Sequence, residues 1–263
     1  MFDWDQSAEA GTLKNRVTGI CVAAGVMLAL LVYAACPSQP RAQTNARPGE
    51  AAIVSLGGRL YDNHWLMLAR QPPSRWQPLF PTKIRITPSA TWRCVSCHGW
   101  DYRGADGHLG EISSNPVFKS LAGTLGQDPK KLVTILESGS HSAITAPMPP
   151  ELLVAVAKFL SYGQHDMADL VDGDGKAIGD PLRGKDIFQG TCERCHDADG
   201  KAPIYGESGD KSSLGWIARN RPEQAVHKIR NGIPQADMLS LRFLDMNSLA
   251  ALLAYLQTLD PAS

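Results

Sequence analysis

The chain has 263 residues, and its 26 lysines and arginines balance 26 aspartates and glutamates. A net charge of zero gives the chain as a whole no electrostatic basis for binding nucleic acid. Hydrophobic residues make up 43% of the sequence, so a packed core can form without structural disulfides, and the length suits one or two domains with additional segments.

An uncharged stretch of nineteen residues, 17–35, lies close to the N-terminus. It is long enough to cross a bilayer as a helix, which takes about 20 residues. Lys14 and Arg16 precede it and would stay on the cytoplasmic side. Residues 1–36 are therefore predicted to be a membrane anchor, and a cleaved secretory signal is the alternative. Both interpretations export the rest of the chain, and residues 37–50, with three prolines, are predicted to be a tether.

The next segment joins a predicted helix to an irregular insertion. Apolar residues at helical spacing predict a helix over residues 51–69. Residues 62–93 form an insertion whose five prolines exclude regular helix from most of it. The insertion is basic and contains three tryptophans, which predicts a flap that packs aromatic side chains over the protein. Docking of an acidic partner is a second role for it, and residues 164–263, with fifteen acidic against eleven basic residues, are one such partner.

Two copies of one cysteine motif, C-x-x-C-H, follow. This motif is the attachment signature of a c-type haem: both thiols bond to one porphyrin, and the histidine lies under the iron. The alternatives are a zinc site formed by the four cysteines or redox-active dithiols. Zinc gives no reason for a histidine after both pairs, and no βαβ pattern of a dithiol protein surrounds them. We therefore predict two covalently attached haems c, bound by Cys94, Cys97 and His98 in the first copy and by Cys192, Cys195 and His196 in the second.

The same order of elements follows each motif. A turn-rich run leads to a helix that ends at a glycine, then to a methionine in a loop and a closing amphipathic helix. In the first copy the two helices span residues 129–138 and 151–162. In the second copy the earlier helix ends at Gly232 and the closing helix spans residues 244–259. His227 lies in the middle of that earlier helix, and we expect it at the surface or behind an iron ligand.

This order resembles two class I cytochromes c in tandem. The piece Gly58-Arg-Leu60-Tyr61 and its counterpart Gly184-Lys-Asp-Ile-Phe188 are similar to the first-helix pattern of that family, in which an aromatic residue follows a glycine. The resemblance implies an all-α fold behind the N-terminal transmembrane helix. Two tandem cytochrome c domains, 51–163 and 181–263, would each wrap a few helices round a covalently bound haem, with residues 164–180 as the linker.

The resemblance also implies a methionine as the sixth ligand of each iron. Met148, flanked by prolines in a loop, and Met238 are the predicted ligands. His141 is the alternative to Met148, and two histidines on one iron would lower its potential. Met246 is the alternative to Met238, although its position in the closing helix favours a core role.

Iron held by histidine and methionine has no open site for a substrate, so the resemblance implies an electron carrier rather than an enzyme. The expected protein is a dihaem cytochrome of a respiratory or photosynthetic chain, anchored in the bacterial inner membrane with its haem domains in the periplasm. A cleaved leader would leave it soluble in the periplasm. The expected partners are redox proteins and the membrane.

Two other functions stay open. The protein could be the electron-accepting subunit of a periplasmic dehydrogenase complex. It could also be a dihaem enzyme, a thiosulfate dehydrogenase or a peroxidase. A dihaem thiosulfate dehydrogenase of that kind uses a cysteine as the sixth iron ligand, and every cysteine in residues 37–263 already belongs to a haem motif. A peroxidase needs a vacant position on the iron, and both repeats offer a methionine there.

Overall fold

A computed structural model describes residues 48–81, 86–112, 115–202 and 213–261. The predicted anchor and nearly all of the tether lie outside the described residues. The described part belongs to one compact unit, Asn45–Ser263. None of its helices combines the length and the apolar character that crossing a membrane takes.

The described residues are helical, with short 3₁₀ turns between the helices, and their isolated β-bridge joins Val171 to Ala177. This confirms the all-α prediction for this part of the chain. We call residues 48–163 the first half and residues 164–261 the second half. The first half contains α1 (Pro48–Met67), α2 (Cys94–His98), α3 (His108–Ile112), α4 (Pro129–Leu136), α5 (Ser142–Thr145) and α6 (Pro150–Tyr162). The second half contains α7 (Pro181–Thr191), α8 (Glu193–His196), α9 (Leu214–Asn220), α10 (Pro222–Asn231) and α11 (Met246–Leu256).

The helix ends follow from local capping. The Asp128 side chain accepts a hydrogen bond from the Lys130 amide and starts α4, as a residue with a short side-chain oxygen does at an N-cap. Asp245 does the same for α11, and this moves the start of the closing helix two residues beyond the predicted one. α1 continues into the predicted insertion, where Asn63 interrupts its helical geometry with φ −155° and ψ 86°.

The described residues of the insertion pack aromatic side chains against the first half, as predicted for a flap. Trp65 and Trp92 are buried in a small cluster with Ile144. The Trp65 indole donates to the Trp92 carbonyl at 3.1 Å, and the Trp92 indole donates to the Arg75 carbonyl at 2.7 Å. The segment ends where Arg93 donates to the Asp62 carboxylate at 2.6 Å, so its two ends meet beside α1.

The core of the first half forms where α1 crosses α6. Gly57 makes this crossing close: a Cβ at this position would lie 2.0 Å from the Ala155 carbonyl oxygen. One helical turn further, the Tyr61 ring packs on Phe159 with 5.3 Å between ring centroids. Residues one turn apart lie on the same helix face, so the glycine and the aromatic ring act together at the crossing.

The core of the second half repeats this crossing between α7 and α11. A Cβ on Gly184 would lie 1.9 Å from the Ala251 carbonyl oxygen, and Phe188 packs on Tyr255 at 5.3 Å. The counterpart of Gly184 is therefore Gly57, and the sequence alignment on Gly58 is wrong by one residue. Gly58 instead faces the Asn231 side chain from the second half.

The two halves pack together through α1 and α10. Lys228 of α10 forms an ion pair with Asp62 of α1 at 2.7 Å. The hydroxyl of Ser55 in the first half lies 2.7 Å from the hydroxyl of Ser240 in the second half, which forms another contact between the halves. In the segment predicted as a linker, Leu170 is fully buried and Ala177 nearly so, and both pack in the core of the second half.

Candidate haem sites

The first cysteine motif forms the short helix α2 and is fixed at both ends by α1. At its start, Arg93 is held by Asp62. At its end, Gly99 has φ +77°, a conformation that favours glycine, and its carbonyl accepts a 2.6 Å hydrogen bond from the Tyr61 hydroxyl. The aromatic residue of α1 thus positions the main chain directly after His98.

Burial keeps the thiols of this motif neutral. Cys94 and Cys97 are both free and partly buried. Burial raises the pKa of Cys94 to about 12 and that of Cys97 to about 11. Within the described residues, no three histidine, cysteine or acidic side chains converge as ligands of a metal ion.

His98 is held in the form that a metal ligand needs. Its Nδ1 atom lies 2.8 Å from the Lys119 carbonyl oxygen. A carbonyl only accepts, so Nδ1 carries the hydrogen and Nε2 keeps its lone pair for iron. Burial lowers the pKa of His98 to about 4, which keeps the ring neutral.

Both candidates for the sixth ligand lie between α4 and α6. The ring centroids of His141 and His98 lie 6.2 Å apart, with 24° between the ring planes. Met148 is 6% exposed and belongs to the apolar core of the first half. Its amide donates to the Thr145 carbonyl at 2.8 Å.

The second cysteine motif follows α7 directly, without an insertion. Phe188 precedes Cys192 by one helical turn, and the Cys192 amide donates to the Phe188 carbonyl at 2.7 Å. Burial raises the pKa of Cys192 to about 11, whereas Cys195 is exposed. The Nδ1 atom of His196 is buried without a hydrogen-bond partner in the described part of the chain, which excludes residues 203–212.

Two methionines lie close to the core of the second half. Met238 and Met246 are both partly buried against it. The sulfur of Met246 lies 3.7 Å from Nη1 of Arg230, so this side chain already has a partner. Met246 is also the first residue of α11, which agrees with its predicted core role better than with a loop ligand.

A buried polar cluster at the junction of the halves was not predicted. The Tyr102 hydroxyl lies 2.8 Å from Nδ1 of His227, and Nε2 of His227 lies 3.0 Å from the Gly58 carbonyl oxygen. The carbonyl requires a hydrogen on Nε2, so Nδ1 accepts the hydrogen bond from Tyr102. His227 is fully buried, and the expectation of a surface position is wrong. Its helix face meets α1 of the first half instead of solvent.

Buried cations near this cluster fit an anionic cofactor. Arg230 is buried and Arg242 is partly buried, and the Nε atoms of both are buried without a hydrogen-bond partner among the described residues. Burial lowers the pKa of Arg242 to about 9. Neither forms an ion pair within those residues, and a buried cation without a counter-charge is costly. A haem carries two carboxylates, so a haem edge at this junction would supply the missing charge.

Comparison with known proteins identifies the class of the second half. A family model described as cytochrome c oxidase, cbb3-type, subunit III matches residues 179–256. No curated protein and no solved structure matches the chain. The matched range runs from two residues before α7 to the last residue of α11, and it contains the second cysteine motif and Met238. Residues 179–256 are therefore a cytochrome c domain with covalently bound haem, and the protein is an electron-transfer haem protein.

Proposed function

We propose that this protein is a dihaem c-type cytochrome that passes single electrons between redox partners. The observation that carries the proposal is the repeated helix crossing. Gly57 and Tyr61 stand to α6 as Gly184 and Phe188 stand to α11, and both crossings precede a C-x-x-C-H motif. The second crossing lies in the cytochrome c domain, so its repeat supports a second domain of the same kind in the first half.

The proposed roles follow from the placement of the side chains. Cys94 and Cys97 bond to one porphyrin, and Cys192 and Cys195 bond to the other. His98 and His196 bind the two irons from below, and the Lys119 carbonyl keeps Nε2 of His98 available. Met238 is the sixth ligand in the second half, and the first half offers Met148 and His141. Haem iron with both axial positions filled gains and loses one electron and has no vacant position for a substrate.

The proposed location is the outer face of the bacterial inner membrane. The uncharged segment 17–35 supports a retained anchor with the haem domains in the periplasm, and cleavage would leave a soluble periplasmic protein. The proposed partners are redox proteins. The basic insertion supports docking of an acidic one, because complementary charge speeds encounter and selects orientation.

Denaturing mass analysis of protein matured in a haem-attaching periplasm tests the dihaem proposal. We expect the mass of the polypeptide plus two haems. The paired change Cys94→Ser with Cys97→Ser removes one haem, and the matched pair Cys192→Ser with Cys195→Ser removes the other. A wild-type protein that carries a single haem, or none, overturns the proposal.

A further inference from the structure

We infer that His141, rather than Met148, is the sixth ligand of the first haem, so that two histidines hold this iron. The inference deepens the proposed dihaem function and rests on it. It assigns different ligand sets to the two haems, because Met238 remains the candidate in the second half.

The distance between the two rings carries the inference. An imidazole nitrogen binds a transition metal at about 2.0–2.1 Å, and the ring centre lies roughly 1.1 Å behind that nitrogen. Two imidazoles on opposite sides of one iron therefore have centroids roughly 6.3 Å apart. The centroids of His98 and His141 are 6.2 Å apart. The separation of the two ring centroids therefore matches the one that a shared iron would impose.

The main chain around His141 is fixed, so this position does not depend on a bound metal. His141 ends the 3₁₀ turn Gly139–His141, which follows α4. The Thr145 hydroxyl lies 3.1 Å from the His141 carbonyl and 2.7 Å from the Leu136 carbonyl. Thr145 is itself buried, and it connects the His141 turn to the end of α4.

The packing of Met148 explains that residue without an iron bond. Its side chain is buried in the core of the first half, among residues that include Leu136, Leu153 and Val156. Methionine is flexible and fills irregular gaps between helices. A core role is therefore sufficient for Met148, whereas the half-buried His141 has no place in that core.

The ligand difference gives the two haems different potentials. A methionine ligand raises the potential of a haem relative to two histidines. The first haem is therefore the low-potential one, and electrons run downhill from the first half to the second. Trp100, two residues after His98, packs edge-on against His227 of the second half with 5.0 Å between centroids, which places aromatic contact between the halves.

The test uses the holoprotein and counts iron-bound methionines. In the reduced protein, proton NMR shows a strongly shifted methyl resonance for each methionine on iron, and the oxidised protein shows a weak methionine-to-iron absorption band. We expect one such methyl resonance. Met238→Leu removes it, while Met148→Leu leaves it in place and leaves both midpoint potentials unchanged. His141→Gln raises the lower midpoint potential or turns that haem high-spin.

The controls separate the possible failures. His108→Gln replaces an exposed histidine and leaves both potentials and both spin states unchanged. Far-UV circular dichroism confirms that each variant is folded. Two methyl resonances in the wild type, or the loss of one in Met148→Leu, overturn the assignment of His141. A haem count below two overturns the dihaem function itself, so the two failures are distinguishable.

Discussion

Asp62 is a buried carboxylate with partners from both halves of the chain. Its side chain is 2% exposed and lies 2.6 Å from Arg93 and 2.7 Å from Lys228. The nearby cations lower the pKa of this carboxyl although burial opposes them. Asp62 therefore carries a full charge at neutral pH and joins the residue before Cys94 to α10.

We predict that Asp62→Asn lowers the free energy of unfolding by about 3–5 kcal/mol, because it removes the buried carboxylate that pairs with both Lys228 and Arg93. Guanidinium unfolding of the holoprotein at pH 7, followed by circular dichroism, measures the change. Asp260→Asn is the control: Asp260 pairs with Lys201 at the same distance of 2.7 Å, but both side chains are far more exposed. We expect little effect there, and an equal loss in both variants would refute the buried role of Asp62.

Buried histidines make stability depend on pH. Burial lowers the pKa of His227 to about 3 and that of His64 to about 4, whereas both would titrate near 6.5 in the unfolded chain. Between pH 6.5 and 4 these two rings bind protons in the unfolded chain but stay neutral in the folded chain. The free energy of unfolding therefore falls as the pH drops through this window, by up to about 1.4 kcal/mol per pH unit for each ring.

Replacing one of these histidines measures its contribution to the pH dependence of the free energy of unfolding. We predict that His227→Gln weakens the decline in stability between pH 6.5 and 4, measured by guanidinium unfolding at several pH values. Asp62 does not interfere, because its lowered pKa confines its own loss of stability to pH values below about 3.8. An unchanged slope in His227→Gln would show that the ring is not kept neutral by burial.

At the scale of the element, the helix crossings depend on glycines that the sequence marks only approximately. The pattern of a glycine followed by an aromatic residue is visible in both halves, but Gly57 and Gly58 are adjacent and the sequence alone does not choose between them. The choice is made by the partner helix: Gly57 meets Ala155 of α6, whereas Gly58 meets Asn231 of α10. Both sides of α1 are covered by other helices, so the local sequence does not tell which helix each glycine contacts.

Two glycines of α7 give a matched pair for testing the crossing. Gly184→Ala would place a methyl group 1.9 Å from the Ala251 carbonyl, so we expect a loss of about 1–3 kcal/mol in the free energy of unfolding. Gly190→Ala, in the same helix, meets nothing within 4 Å. It should raise stability by about 0.5–1 kcal/mol, because alanine favours the helix. Chemical unfolding of both variants checks this, and a tolerated Gly184→Ala would contradict the close crossing.

At the scale of the whole molecule, the halves share buried groups and should unfold together. Tyr102, His227 and Asp62 are all buried where α1 meets α10. Native-state hydrogen exchange should therefore give the same opening free energy for amides of α6, such as Ala157, and of α11, such as Leu252. In Asp62→Asn, the opening free energies of the α6 and α11 amides should differ from one another. Clearly different values in the wild type would show that the halves open independently.

The sequence predicted what depends on neighbouring residues and missed what depends on distant ones. The C-x-x-C-H motifs, the order of helices and the flap are local properties of composition and spacing. The hydrogen-bond partner of His98 is the main-chain carbonyl of Lys119, 21 residues away. Every residue has such a carbonyl, so the identity of the Lys119 side chain gives no sign of this contact. His227 looked amphipathic in isolation, yet its environment is set by a helix more than 160 residues earlier.

The ion pair between Arg93 and Asp62 holds the two ends of the insertion together, so the insertion is a closed loop. In the second half the same connection takes only the few residues from Phe188 to Cys192. Closing a loop becomes only slightly less favourable as it lengthens, by about 0.6 kcal/mol for each doubling. The exposed part of this segment can therefore change length at little cost in stability, whereas Trp65 and Trp92 must keep their places in the buried cluster with Ile144.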